Sequence, residues 1–374
     1  MARSQDVIAR FGFAGARQWP TPALIVDRQG VAANLAAMLQ VAGEPARLVP
    51  HVKTHKMPAV VRLQQQAGID QFKCATLAEA QMLARCGVRW VLVAYPLVGP
   101  QLRRLMALAR AFPKVRFGTL VDDAKVLQQL ADEAAAAAVT IDVLLDLDVG
   151  QQRTGVPPGP AARQLYRQLA TSPALCAAGL HAYDGHVKEQ SLEARTAMVE
   201  ACFRAVERLR SELIGAGYPV PRLIAGGTPT MTVHASHVDR LLSPGTCVFW
   251  DAGYGEKFPD LPFVPAAAVL TRVVSKPGPQ RLCLDLGYKA VASNHPDPRV
   301  VFPELPAARQ AIHNEEHLVI EAPGAESLTV GDVLVAVPYH ICPTCALYPE
   351  AVVVDAGEVV ERWSIVARDR ELTI

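Results

Sequence analysis

The 374-residue chain has no excess of charge of either sign: 37 Lys and Arg stand against 36 Asp and Glu, with no long single-sign block. A nucleic-acid groove and a membrane-surface patch are thereby disfavoured, leaving a small molecule as the default partner. Long apolar runs are also missing. The opening MARSQDVIARFGFAGARQWPTP is broken by charge, and nowhere do about 18 uncharged apolar residues follow one another. A soluble, cytoplasmic protein is the expectation. Close-spaced cysteines are scarce: of eight, only Cys342 and Cys345 are near neighbours, and most others sit in apolar runs, where a cysteine acts as a small hydrophobe. What is plentiful is hydrophobic content, 51%, enough for one large core or two ordinary ones.

From Thr21 onward, short β-branched runs alternate with longer helical ones. The runs ALIVD, RLVPHVK, QFKCA, RWVLVAYP, VRFGTLVD, TIDVLLDLDVG, AGLHAYDG and RLIAGGTP are each followed by a helical pattern, the seventh by one near 191 to 216. Eight strand-then-helix units between 21 and about 245 fit a closed (β/α)8 barrel, with a doubly wound open sheet as the alternative. Beyond about residue 255 short strands with Pro and Gly punctuation take over, so residues 251–374 read as a β-rich domain, which residues 1–20 are expected to join. The predicted division is a barrel over 21–250 and a β-rich domain from 1–20 and 251–374.

If the barrel reading holds, Lys53 ends strand 2 on the face where such barrels build active sites. A partly desolvated lysine there suits Schiff-base chemistry, although from position alone a solvated strand-end lysine is the commoner reading. AGGTP, with Gly226 and Gly227, and SPGT, with Gly245 and Thr246, fall where these barrels bind phosphate, though most Gly-rich turns are only turns. LDLDVGQQRTGV supplies Asp146, Asp148 and Arg153, while HAYDGH puts His181 and Tyr183 on one strand face. Two polar groups there point to a ligand pocket, against a satisfied core pair.

In VPYHICPTC, a strand would aim His340 and Cys342 to one side, an imidazole and thiolate pair suited to Zn²⁺ with coordination positions left open. A redox CxxC at Cys342 and Cys345 should instead open a helix near a βαβ unit, and a closed zinc site needs a second close-spaced ligand pair; neither is evident.

TPALIVD, PHVKTHK, LDLDVGQQRTGV, AGGTPT, PGTCVFWDAGYG and HICPT, in this order, resemble the D-threonine aldolase and eukaryotic-type D-serine dehydratase family, metal-activated fold-type III pyridoxal-phosphate enzymes. The resemblance spans nearly the whole chain. It implies that Lys53 carries pyridoxal 5′-phosphate as a Schiff base, that Arg153 lies near the cofactor's phenolic oxygen and Tyr183 beside its ring, and that Gly226, Gly227, Thr228, Gly245 and Thr246 cradle the phosphate. It also implies a divalent metal on His340 and Cys342, and a homodimer. The thiolate favours Zn²⁺ over Mn²⁺ or Mg²⁺. His-x-Cys resembles the dehydratases, whereas the aldolases carry His-x-Asp and a histidine beyond the strand-7 tyrosine. That place falls near Glu189 here, with His186 close by as a further candidate base.

The expected reaction is therefore elimination of the β-hydroxyl from a D-β-hydroxy amino acid such as D-serine or D-3-hydroxyaspartate. Retro-aldol cleavage is the alternative, and an amino-acid racemase or a non-catalytic pyridoxal-phosphate-binding protein are lesser ones.

Overall fold

The computed structural model describes residues 8–374. The chain forms two compact units. One holds the residues up to Met38, Thr54–Ala59 and Thr246–Arg368; the other holds Leu39–Lys53, Val60–Gly245 and Asp369–Ile374.

The second unit is built on seven parallel strands paired in chain order: Gln71–Cys74, Trp90–Pro96, Arg116–Val121, Ile141–Leu147, Leu175–Ala182, Leu223–Ala225 and Leu241–Leu242. The two edge strands are joined through residues 48–51. Leu48 bridges Leu242 and His51 bridges Lys73, so eight segments close a ring. RLVPHVK is thus a barrel segment, although Pro50 keeps it from forming a regular ladder. Val49, Trp90, Leu92, Leu120, Leu144, Ala178 and Ile224 pack together inside the ring, the side-chain filling such a barrel requires.

Helix starts follow from local chemistry. Asp123 accepts from the backbone N–H groups of Lys125 and Val126 to open Ala124–Ala137, and Ser191 accepts from that of Ala194 to open Leu192–Gly215. Thr76 and Glu79 form a variant of the reciprocal Thr-x-x-Glu cap at Leu77–Arg85: Thr76 accepts from Glu79 N–H and the Glu79 carboxylate from Ala75 N–H.

One strand is not where the sequence reading puts it. ALIVD, expected to open the barrel, forms Ala23–Asp27 of the other unit, parallel to Glu350–Asp355 and antiparallel to Ala267–Gly278. A short run buried on both faces looks the same in either sheet, so the apolar pattern cannot assign it. The eighth barrel position is taken by Leu241–Leu242, two residues long and too short to carry a period.

The first unit centres on a nine-stranded, mostly antiparallel sheet that includes the hairpin Glu350–Asp355 and Glu358–Ser364. Phe11 and Phe13 pack with Ile25, Leu270, Val335 and Val354 in its core. Of the residues 1–20 expected in this domain, 1–7 lie outside the described residues. Among the described residues, no helix is long and apolar enough to cross a membrane.

Candidate active site

Lys53 ends the closing segment of the barrel. Val52 N–H donates to Lys73 C=O, Lys73 N–H to Pro50 C=O, and Lys53 N–H reaches back to His51 Nδ1 at 3.3 Å. These bonds hold the lysine at the mouth of a cavity of about 500 Å³, lined by His51, Lys53, Lys73, Arg153, His181 and Tyr183 with Ala75, Ala94, Tyr95, Pro96 and Thr154. Such a volume suits a small ligand with a few convergent polar groups.

His181, one residue before the end of the strand Leu175–Ala182, and Tyr183, one residue beyond it, both line this cavity. Asp146 Oδ1 lies 2.7 Å from His181 Nδ1, and Thr154 Oγ1 donates to Asp146 Oδ2 at 2.8 Å. Burial opposes ionisation of Asp146, but the hydrogen bonds and charge of His181, with Thr154 and Lys73 adding to them, bring its pKa below the usual carboxylate range. Burial first, then the charge of Lys73, lowers the pKa of His181. A neutral imidazole donating from Nδ1 to Asp146 leaves Nε2 as an acceptor, and this atom is buried without a hydrogen-bond partner.

Arg153 comes from the turn after that strand. Asp148 accepts from Gly150 and Gln152 N–H, and Gly155 sits at φ +99°, where an added Cβ would meet Asp148 N at 2.6 Å. The turn presents Arg153 5.1 Å above the Tyr183 ring, whose other near cation is Lys73, Nζ 5.5 Å from the centroid. Lys73 Nζ donates to Ser243 Oγ at 3.0 Å, and Ser243 donates to Gly226 C=O. Burial, and after it the charge of Lys53, brings the Lys73 amine down to about 7.

The expected phosphate turn adjoins Tyr183, since a Cβ on Gly227 would lie 2.9 Å from its ring. Gly226 requires its glycine: φ is +63°, and a Cβ would collide with His234 and Thr230. The N–H groups expected to face an anion have internal partners, Gly226 to Ala182 C=O, Gly227 to Thr230 Oγ1 and Gly245 to Thr228 Oγ1. An anion would therefore have to replace the two hydroxyl acceptors. Behind the turn runs a buried chain unremarked in the sequence reading. Asp184 accepts from Thr230 Oγ1 and pairs with His234 Nε2, while His234 Nδ1 meets Arg240, which pairs with Glu207. The sequence reading does not single out Lys73 either, although a lysine flanked by Phe72 and Cys74 in the short strand run QFKC is a signal.

His186 and Glu189 are not among the cavity-lining residues. His186 Nε2 lies 3.4 Å from Cys202 Sγ, and Glu189 Oε2 accepts from Lys188 N–H. Thr246, His340 and Cys342 belong to the other unit. There the strand ends at Pro338, His340 caps a one-turn helix Ile341–Cys345, and Cys342 lies in that turn. The strand geometry expected for the pair, and the expected lack of a helix at the CxxC, are both corrected: Pro338 and Pro343 end the ladder and favour a helical first turn.

Cys342 Sγ lies 3.1 Å from Thr54 Oγ1 and 3.4 Å from Thr246 Oγ1. His340 Nδ1 is 2.9 Å from Asn294 Nδ2. A half-turn of that amide would turn its oxygen toward Nδ1 and accept Nδ1–H instead. Among the described residues no cluster of three or more metal-ligating His, Cys, Asp or Glu side chains occurs.

Residues 26–252 match the family model for the alanine racemase N-terminal domain, and residues 266–354 that for a putative serine dehydratase domain. A D-threonine aldolase of Arthrobacter sp is 34% identical over 356 residues, covering 93% of this chain and 92% of the relative. A D-threo-3-hydroxyaspartate dehydratase of Delftia sp. is 25% identical, with 92% and 96% covered. The crystal structure of D-threonine aldolase from Filomicrobium marinum superposes with a TM-score of 0.89 at 30% identity, covering 96% of this chain and 99% of the other. The two matched regions follow one another along this chain, and each of these relatives is covered over more than nine-tenths of its own length. The chain belongs to the D-threonine aldolase and D-serine dehydratase family of fold-type III pyridoxal-phosphate enzymes and is a lyase of D-β-hydroxy amino acids.

Proposed function

We propose that the protein is a dehydratase, eliminating the β-hydroxyl of a D-β-hydroxy amino acid such as D-serine or D-3-hydroxyaspartate and releasing ammonia from the resulting enamine. One observation carries the choice: neither His186 nor Glu189 lines the cavity, His186 Nε2 lying against Cys202 Sγ and Glu189 accepting from Lys188 N–H. Retro-aldol cleavage needs an acceptor for the β-hydroxyl proton, whereas elimination needs the Cα proton removed and the hydroxyl activated to leave.

The residues fit pyridoxal phosphate: an amine at the cavity mouth, an unpartnered imidazole nitrogen, an arginine over a tyrosine ring and a glycine turn backed by buried polar groups. When bound, that cofactor supplies an electron sink for a Cα carbanion. Lys53 is the amine that would hold it, and its Nζ is the group placed to take the Cα proton of the substrate. Arg153 and Tyr183 orient the ring; Gly226, Gly227, Thr228, Gly245 and Thr246 contribute to phosphate binding, Thr228 by turning its hydroxyl from Gly245 N–H. His340 and Cys342 would hold a divalent metal, and the thiolate favours Zn²⁺; its contribution is Lewis acidity toward a departing hydroxyl. The homodimer is proposed from the family, and a light-scattering mass of 40.2 kDa rather than twice that would overturn it. None of the eight cysteines forms a disulfide, which suits a reducing cytoplasm.

A second reading, retro-aldol cleavage to glycine and an aldehyde, is favoured by the 34% identity to a D-threonine aldolase. D-Threonine separates the two. Incubated with the holoenzyme, it is expected to give 2-oxobutanoate and ammonia, less after chelation, with zinc content falling in parallel; glycine with acetaldehyde would establish the aldolase instead. Replacement Lys53→Ala is expected to lower turnover by at least ~10²-fold, the lower end of what a positioned proton-transfer group supplies.

A further inference from the structure

Lys73 is 4% exposed, and among the described residues no other lysine is buried. A buried ammonium calls for a counter-charge. Its hydrogen-bond partner is instead the neutral hydroxyl of Ser243. The carboxylates whose charge acts on it are engaged elsewhere, Asp146 by His181 and Thr154, Asp184 by His234 and Thr230. The side chain faces the same cavity as Lys53, from the strand paired directly with the Lys53 segment, and stands on the opposite chemistry from a core lysine: a cation waiting for an anion.

We propose that Lys73 is a second functional amine of this cavity, a cofactor-facing cation steered by Ser243 that meets the anionic pyridoxal phosphate from inside the barrel. The proposal rests on the cofactor reading above and adds to it a contact made by this chain's own residue. Burial and the charges of Lys53 and Arg153 act to remove its proton, while Asp146 and Asp184 act to keep it, and the balance brings the amine down to about 7. Burial first, and then the charge of Lys73, lowers the pKa of His181 beside it. An arriving anion restores the proton, so binding takes one up wherever Lys73 is neutral beforehand.

The experiment titrates the cofactor-free protein with pyridoxal phosphate, and separately with pyridoxal, from about one pH unit below to about two above this pKa of about 7. Wild type is compared with Lys73→Met, Lys73→Arg and Ser243→Ala. Lys73→Met is expected to bind pyridoxal phosphate roughly 10- to 100-fold more weakly below pH 7, the worth of one charge-assisted hydrogen bond, with the deficit shrinking as pH rises. Lys73→Arg should keep the affinity and lose that pH dependence, because a guanidinium stays charged. Ser243→Ala should fall between. The effects of Lys53, Asp146, Arg153, Asp184 and His181 are common to all four proteins and cancel in the ratios. Equal losses for pyridoxal and its phosphate would put the contact at the ring oxygen, and a loss confined to the phosphate ester would put it at the phosphate; both support the proposal. Unchanged affinity and pH profile in folded Lys73→Met, or in Ser243→Ala and Lys73→Arg alike should Lys73→Met not fold, would overturn it. Borohydride reduction and peptide mapping separate the two levels. A pyridoxyl label on Lys53 with unchanged affinity in Lys73→Met rejects only the role of Lys73, whereas a wild-type protein unlabelled at Lys53 rejects the cofactor reading with it.

Discussion

The His181 imidazole faces two demands, a fixed tautomer and a bare Nε2, and Asp146 meets both by accepting Nδ1–H. In Asp146→Asn the amide oxygen is the group able to accept from Thr154 Oγ1, which turns the NH₂ toward Nδ1 and moves the imidazole proton to Nε2. An acceptor in the cavity becomes a donor. The expected result is a fall in kcat of roughly 10- to 100-fold with the fold intact, an acid–base-sized effect, measured by steady-state kinetics beside a thermal melt. A wild-type kcat would show that the orientation of His181 does not matter to the reaction. At this scale much was legible. Lys53 and the His181–Tyr183 pair stood out because charge and polarity interrupt apolar strands at the barrel mouth. Lys73 did not, because which way a strand residue points into a barrel depends on register, and the register here is set by a neighbouring segment that sequence periodicity describes poorly. The dependence of His340 and Cys342 on a helical turn was hidden for a related reason: two prolines change the geometry without changing the spacing.

At the scale of elements, the turn between Asp148 and Val156 decides whether Arg153 and Thr154 reach the cavity. Asp148 N–H donates to Val156 C=O, Val156 N–H donates to Asp146 C=O, and Gly155 N–H donates to Asp122, so the turn is tied at both ends. Gly155 is its weak point for substitution. A Cβ there would press on the backbone of Leu147 and Asp148 in a conformation that side chains rarely adopt. Gly155→Ala is expected to cost about 1–3 kcal/mol in stability and to weaken pyridoxal phosphate binding by loosening Arg153, read from a thermal melt and a cofactor titration. A melt within error of wild type would mean that the turn relaxes around the methyl. Most strand-then-helix units were recognisable because each helix follows its strand closely in sequence. The two errors in strand membership, Ala23–Asp27 and Leu241–Leu242, have the same root: the first pairs with strands more than 240 residues away, and the second is too short to show alternation.

For the molecule as a whole, the buried titratable groups give the cofactor-free protein a definite response to pH. His55, fully buried, accepts from Met57 N–H, and burial brings its pKa down to about 3. Its folded value lies below the unfolded 6.5, so the unfolded state binds more protons between the two, and stability contributed above pH 6.5 is lost as pH falls toward 3. Lys73 follows the same sign in a higher window. With about 7 in the fold against 10.5 unfolded, its contribution is complete above 10.5 and lost as pH falls to 7. Asp251 runs the other way: burial raises it to about 6, so its contribution, present below the unfolded 3.8, is lost as pH climbs through 6. Acid therefore sets His55 against Asp251 and flattens the net dependence between about 3.8 and 6, whereas no such opposition from these three groups exists between 7 and 10.5. The midpoint of urea unfolding of the cofactor-free protein is expected to rise across that alkaline window and to rise less in Lys73→Met. His55→Phe should leave the alkaline slope alone and steepen the fall in stability with rising pH in the acid window, because it removes the term that opposes Asp251. Parallel curves for wild type and Lys73→Met across the alkaline window would mean that the Lys73 amine keeps its ordinary protonation in the fold, and with it that the protein itself already supplies the counter-charge assigned here to the cofactor.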